Sequence, residues 1–212
     1  TLREALGVSP SSDTETLYTL IVRGSPRTRP AVRRRRRGEL PFMGRREELR
    51  ALRSVLARPE GTAVLVVAGE PGIGKTRLVR EALAETPPPR LAESKCFQLT
   101  TSVPYALLED LGFGAEAPGR AVAATEGVGD VAGPGRDGHQ LRLAGTLVER
   151  LSSQLPVMVF VDDLQWADGS SLKVLGIVLR RLAGQRLTVV ATLREHEIPA
   201  GHPARHFLEL AD

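Results

Sequence analysis

Lysine is nearly missing from this chain: of 29 basic side chains, only Lys75, Lys95 and Lys173 are lysines. So strong a preference for arginine points to compositional bias rather than to a function. Cysteine is scarcer still. Cys96 stands alone in 212 residues, which excludes an internal disulfide framework and a cysteine-based zinc site and fits a reducing compartment. Its expected role is that of a small buried apolar filler. The histidines, His139, His196, His202 and His206, show no paired metal spacing with a neighbouring acid, so zinc chemistry is not expected. Long apolar runs are also missing. Val64 to Ala68 and Val157 to Val161 are about five residues each, against the roughly 18 that a membrane-spanning helix needs. The first residues, Thr-Leu-Arg-Glu, have neither an initiator Met nor the basic-then-apolar order of a secretory signal. The chain therefore reads as a fragment of a cytoplasmic protein with no membrane partner.

What is present is the balance of a globular domain, with 42% apolar and 25% charged residues. The length suits one domain, or one domain with pieces of another. Charge is unevenly spread. Residues 1–38 hold nine Arg against Glu4, Asp13 and Glu15, a net of +6, whereas residues 39–212 net −2. Arg23, Arg27, Arg29 and the run Arg33 to Arg37 lie among Gly24, Pro26, Pro30 and Gly38, a composition that cannot bury apolar surface. Residues 24–38 are accordingly expected to be an interdomain linker, alone or with auxiliary contact to a nucleic-acid phosphate backbone.

Before the linker, residues 1–7 suit the end of a helix closed by Gly7, and Ser11, Ser12 and Asp13 offer N-caps for a helix from about Thr14 to Arg23. After it, Leu49, Leu52 and Leu56 form a helical stripe ending before Pro59. Thr62 to Ala68 reads as a buried parallel strand and is followed by a helix from about Lys75 to Glu85. A strand near Glu93 to Leu99, a short helix near Tyr105 to Leu111 and a glycine-rich loop over 112–138 come next. The spacing of Leu141, Ala144, Leu147, Val148 and Leu151 predicts a helix from His139 to Ser153. Strand Val157 to Val161, a helix capped by Asp168 or Ser170 and running to Ala183, and strand Leu187 to Leu193 complete the pattern. Alternating helices and near-continuous apolar strands imply a parallel, three-layer α/β sheet.

The chemistry lies at the strand ends. Gly69-Glu70-Pro71-Gly72-Ile73-Gly74-Lys75-Thr76 fits the P-loop pattern at every fixed position, between a strand and a helix. Glycines let backbone amides converge on an anion, and the helix N-terminus adds partial positive charge. These eight residues, with Arg77 immediately after, are the candidate nucleotide contacts. Lys75 is expected to bridge the β- and γ-phosphates of ATP, and the Thr76 hydroxyl to ligate Mg²⁺. Such a loop requires an acid at the end of a neighbouring strand, and Val157-Met158-Val159-Phe160-Val161-Asp162-Asp163 supplies it. Asp162 is the Walker B candidate for Mg²⁺; Asp163 is placed to orient or deprotonate the attacking water. Arg194, at the end of the next strand, could sense the γ-phosphate or could pair with Glu195 or Glu197. Trp166 suits packing beneath the site better than base stacking.

Phe42 to Glu48, the Gly69 to Thr76 loop, Asp162-Asp163-Leu164-Gln165-Trp166-Ala167-Asp168 and Thr192-Leu193-Arg194 together resemble the STAND-type, AAA-like ATPase domain of large bacterial transcriptional regulators. The resemblance covers residues 40 to about 195. It implies that Gly44, Arg45 and Arg46 lie near the adenine, although here Arg46 precedes Glu47 where the family pattern runs Gly-Arg-Glu. Residues 1–23 resemble the end of the TPR-like bacterial transcriptional activator domain of SARP-type regulators. That implies three segments: activator-domain helices (1–23), the linker (24–38) and an incomplete ATPase domain (39–212). It also implies a DNA-binding winged helix upstream, a last strand and a helical lid downstream, and self-association. The expected function is an ATP-dependent switch of transcription with slow hydrolysis. A nucleotide-binding module without turnover is the rival, and a motor or kinase acting on an external substrate is the least favoured.

Overall fold

A computed structural model of the protein describes residues 42–57, 61–113 and 136–209. The expected activator-domain helices, the arginine-rich linker and residues 114–135 of the expected glycine-rich loop lie outside the described residues.

Helix α1 (Arg46–Leu56) presents Leu49, Leu52 and Leu56 to the core, as the stripe requires. Strand β1 (Ala63–Ala68) leads through the glycine loop into α2 (Lys75–Glu85). Then follow β2 (Leu91–Lys95), α3 (Ala106–Asp110), α4 (Arg136–Ser152), β3 (Val157–Asp162), α5 (Gly169–Arg181), β4 (Leu187–Leu193) and α6 (Pro203–Glu209). The four strands form one all-parallel sheet in the order β1-β4-β3-β2.

Period-two alternation divides the strands between two apolar layers. Met158, Phe160 and Val190 face α1 and α2, meeting Leu52, Leu78, Val79, Ala82 and Leu83. Val157, Val159, Val161, Val189 and Ala191 face the opposite layer of α3 to α6, where Leu108, Leu147, Leu172 and Phe207 are buried. This is why β3 reads as an unbroken apolar run: all six of its residues are buried, on two different faces. Each fully buried Phe or Leu contributes roughly 1.5–3 kcal/mol. The fold is the three-layer α/β core of a P-loop nucleotide-binding protein.

Two boundaries and one helix differ from the sequence expectation. Strand β2 ends at Lys95 instead of continuing to Leu99, because its ladder partner β3 ends at Asp162: Lys95 pairs with Asp162, and the Cys96 amide donates to the Asp162 carbonyl at 2.9 Å. Beyond it the chain folds into a single turn, Gln98–Thr100. Helix α4 begins at Arg136, inside the expected loop. Helix α6 has no expectation behind it. Its capping residue is a histidine, the Nδ1 of His202 accepting from the Ala204 amide at 3.1 Å.

Candidate nucleotide site

The carboxyl ends of β1, β3 and β4 bring the candidate residues together. Leaving β1, the loop turns twice through left-handed backbone, at Gly72 (φ 76°) and Gly74 (φ 91°), where a side chain would be strained. Gly74 is also the N-cap of α2, so the loop opens directly onto the helix N-terminus. Glu70, Pro71, Gly72 and Ile73 form an exposed rim. Lys75, by contrast, is buried, and its Nζ donates to the carbonyls of Gly69 and Glu70, each at 2.9 Å. The loop thus encloses the ammonium next to the N-terminus of α2.

The next residue reaches across to β3. Thr76 Oγ1 donates to Asp162 Oδ1 at 2.6 Å, and the hydroxyl of Thr192 in β4 donates to the same oxygen, also at 2.6 Å. Thr192 Oγ1 in turn accepts from the Asp163 amide at 2.9 Å. One carboxylate oxygen therefore ties together the P-loop helix and the ends of two strands. The other oxygen, Oδ2, is buried and has no hydrogen-bond partner. A buried carboxylate oxygen without a hydrogen bond favours a nearby cation; the Lys95 ammonium stands off at 3.9 Å, and with the Thr76 hydroxyl on the other oxygen the donor set fits a divalent ion held jointly by Thr76 and Asp162. Among the described residues no group of three or more His, Cys, Asp or Glu forms a metal cage. Phosphate oxygens of a nucleotide would have to complete such a coordination sphere.

Asp163 turns the chain out of the strand in a left-handed conformation (φ 59°), which Asp tolerates better than most residues. Its carboxylate is flanked on two sides. Oδ1 accepts from Gln165 Nε2 at 3.2 Å and lies 3.8 Å from Arg194 Nε; Oδ2 lies 3.6 Å from Lys95 Nζ. Arg194 also donates to Glu197 Oε1 at 2.9 Å, and that hydrogen bond raises its pKa further above the usual arginine range. Of the two alternatives expected for Arg194, the pairing with Glu197 is present, and the guanidinium also approaches Asp163.

On the expected adenine side, Gly44 (φ 75°) and Arg45 (φ 51°) are both left-handed, and Arg45 is the N-cap of α1. Arg46 is exposed as the first residue of that helix. Phe42 packs with the α1 and α2 layer, and the Arg77 guanidinium lies 5.9 Å from its ring centroid. The segment therefore borders the first turn of α2. Trp166 is half-buried against the α3 to α6 layer, in keeping with packing, and its carbonyl accepts from Thr101 Oγ1 at 3.1 Å.

Three residues at the site had no role in the sequence reading. Thr192 had a usable signal, a hydroxyl in an otherwise apolar strand at the edge where ligands collect. Gln165 is 1% exposed and both donates to Asp163 and accepts from the Arg194 amide at 3.2 Å. Its burial could be read only from the structure. Lys95 was visible as one of three lysines, but its partners depend on β2 lying next to β3.

Among the described residues, no helix is long and apolar enough to cross a membrane. No curated protein matches the chain. A family model described as an AAA ATPase domain matches residues 41–190, a span that takes in the glycine loop, both acids and most of β4. On that match, joined to a P-loop and an acid-ended neighbouring strand in an all-parallel sheet, the chain belongs to the AAA ATPase domain family.

Proposed function

We propose that the chain is the ATP-binding regulatory module of a bacterial transcriptional regulator, in which Mg²⁺·ATP at the Gly69–Thr76 loop sets one state and slow hydrolysis resets it. The observation that carries the reading is the convergence of Thr76 and Thr192 on a single oxygen of Asp162, which couples the phosphate loop to the ends of β3 and β4. Mg²⁺ bound there would neutralise charge developing on the β- and γ-phosphate oxygens. Lys75 exchanges its two loop carbonyls for those oxygens. Glu70, Gly72, Ile73 and Gly74 supply backbone amides, Pro71 having no N–H to donate, and Gly44, Arg45, Arg46 and Arg77 border the base. Asp163 orients the attacking water and takes its proton. Arg194 leaves Glu197 for the γ-phosphate and so reports which nucleotide is bound.

The regulatory part of the reading rests on the resemblance of residues 40–195 to STAND-type regulators and of residues 1–23 to SARP-type activators. It implies DNA contact through an upstream domain, self-association and a cytoplasmic location. One observation favours the rival without turnover: the Asp163 carboxylate already accepts from Gln165 and lies between Lys95 and Arg194, so an attacking water would have to compete with these side chains for its oxygens.

Release of phosphate from γ-labelled ATP by the chain and by Asp163→Asn, with binding measured in parallel, tests the proposal. Turnover lost in the variant with Mg²⁺·ATP binding retained supports the switch. Binding without turnover in the parent chain supports the rival.

A further inference from the structure

Lys95 is the last residue of β2, in register with Asp162. Its ammonium lies 3.9 Å from Asp162 Oδ2, the buried oxygen that lacks a hydrogen-bond partner, and 3.6 Å from Asp163 Oδ2. Both separations are longer than a hydrogen bond, so charge holds the ammonium there without a fixed geometry. The Phe97 ring centroid lies 5.8 Å from the ammonium, within cation–π reach. Half of the side chain is exposed, which leaves the stem free to reorient. Asp162 therefore has two opposed sides. One oxygen faces the P-loop hydroxyl, and the other faces a lysine on the far strand.

The adjacent cation, Arg194, is tied to Glu197 by a 2.9 Å hydrogen bond. Lys75 is tied to the loop carbonyls. Of these three cations, Lys95 has the least to give up. Once Thr76 and Asp162 share a divalent ion, the acid pair no longer needs the ammonium. The nucleotide anion nearest the acids is then the terminal phosphate of a triphosphate, which a diphosphate lacks.

We propose that Lys95 is a terminal-phosphate residue: it neutralises the Asp162 and Asp163 carboxylates while no triphosphate is bound and turns to the terminal phosphate when one is, so that it sets the preference for nucleoside triphosphate over diphosphate. This rests on the nucleotide-binding reading above, and it assigns a role to a residue on the strand furthest from the P-loop strand.

The test is an equilibrium titration of the full chain with fluorescent ATP and ADP in Mg²⁺, beside Lys95→Met, Lys95→Arg and Lys75→Ala. Lys95→Met weakens ATP by about tenfold or more and ADP by less than about twofold, while Lys95→Arg, which keeps the charge, stays within about threefold of the parent for both. Thermal melting establishes that each variant is folded, and Lys95→Gln replaces the Met variant should that one not fold. An unchanged ATP-to-ADP affinity ratio in the folded, uncharged variant overturns the proposal while leaving nucleotide binding intact. A parent chain that binds neither nucleotide, indistinguishable from Lys75→Ala, overturns the nucleotide reading and this proposal with it.

Discussion

Asp168 offers the most demanding test of how the segments behind the site are held. Its carboxylate is 3% exposed and accepts four hydrogen bonds. Oδ1 takes the Ser171 amide and the Tyr105 amide, both at 2.8 Å. Oδ2 takes the Ser171 hydroxyl at 2.6 Å and the Leu107 amide at 3.1 Å. The first of these is the N-cap of α5, and the amides of Tyr105 and Leu107 belong to the first turn of α3, so one side chain joins two helices. In Asp168→Ala the lost cap costs about 0.5–2 kcal/mol. Amides left without an acceptor cost about 1–3 kcal/mol each where they are buried. These terms share one site and do not add fully, so a loss of about 3–5 kcal/mol is expected. Urea unfolding followed by fluorescence reads it, since Trp166, the only tryptophan, lies two residues away. With a slope of about 2 kcal/mol per molar, the midpoint falls by roughly 1.5–2.5 M. Asp168→Asn keeps the shape but turns an amide donor toward other donors, and is expected to recover only about half of the loss. A midpoint shift worth less than about 1 kcal/mol in Asp168→Ala would refute the reasoning.

Two further outcomes follow from the titrating groups. Burial, aided by Asp168 and Asp110, pushes the Cys96 thiol from 9.0 up to about 12. The folded chain should therefore resist alkylation at pH 8 and react only on unfolding; labelling at the rate of a free thiol would contradict this. Because the raised value belongs to the folded state, stability from this group is intact below pH 9 and declines as pH rises toward 12, where the unfolded thiol ionises first. His202 is displaced the other way, burial lowering its pKa from 6.5, and its neutral Nδ1 caps α6 by accepting from the Ala204 amide. That cap is present above pH 6.5 and is lost as pH falls through the depressed value. Amide exchange at Ala204 should quicken on acidification in step with the His202 ring titration, and exchange independent of that titration would remove His202 as the cap.

Much of the fold was legible because the two central strands of its sheet are buried on both faces, whereas β1, expected to be buried, stands at the end of the described sheet with Val66 and Ala68 exposed. Strands with apolar side chains on both faces, such as Val157–Asp162 and Leu187–Leu193, stand out from the amphipathic helices between them. The Gly69 to Thr76 loop was legible for a different reason, since its left-handed turns admit glycine where other residues are strained. Other features depended on partners distant in sequence. Where β2 ends is decided by the end of β3. Lys95, Thr192 and Gln165 acquire their places from the strand order and from the turn at Asp163. Helix α6 is only seven residues long and is capped by a histidine, so neither periodicity nor a usual cap announced it.

The central claim is that the loop after β1 binds the phosphates of a nucleotide with the help of Asp162 and a divalent ion. Equilibrium binding of fluorescent ATP and ADP to the chain, with and without Mg²⁺ and beside Lys75→Ala, tests it most directly. The account predicts Mg²⁺-dependent ATP binding that the substitution abolishes, in a variant whose melting shows it folded. Binding that ignores both Mg²⁺ and the loss of Lys75, or no binding by the folded parent chain, would contradict it.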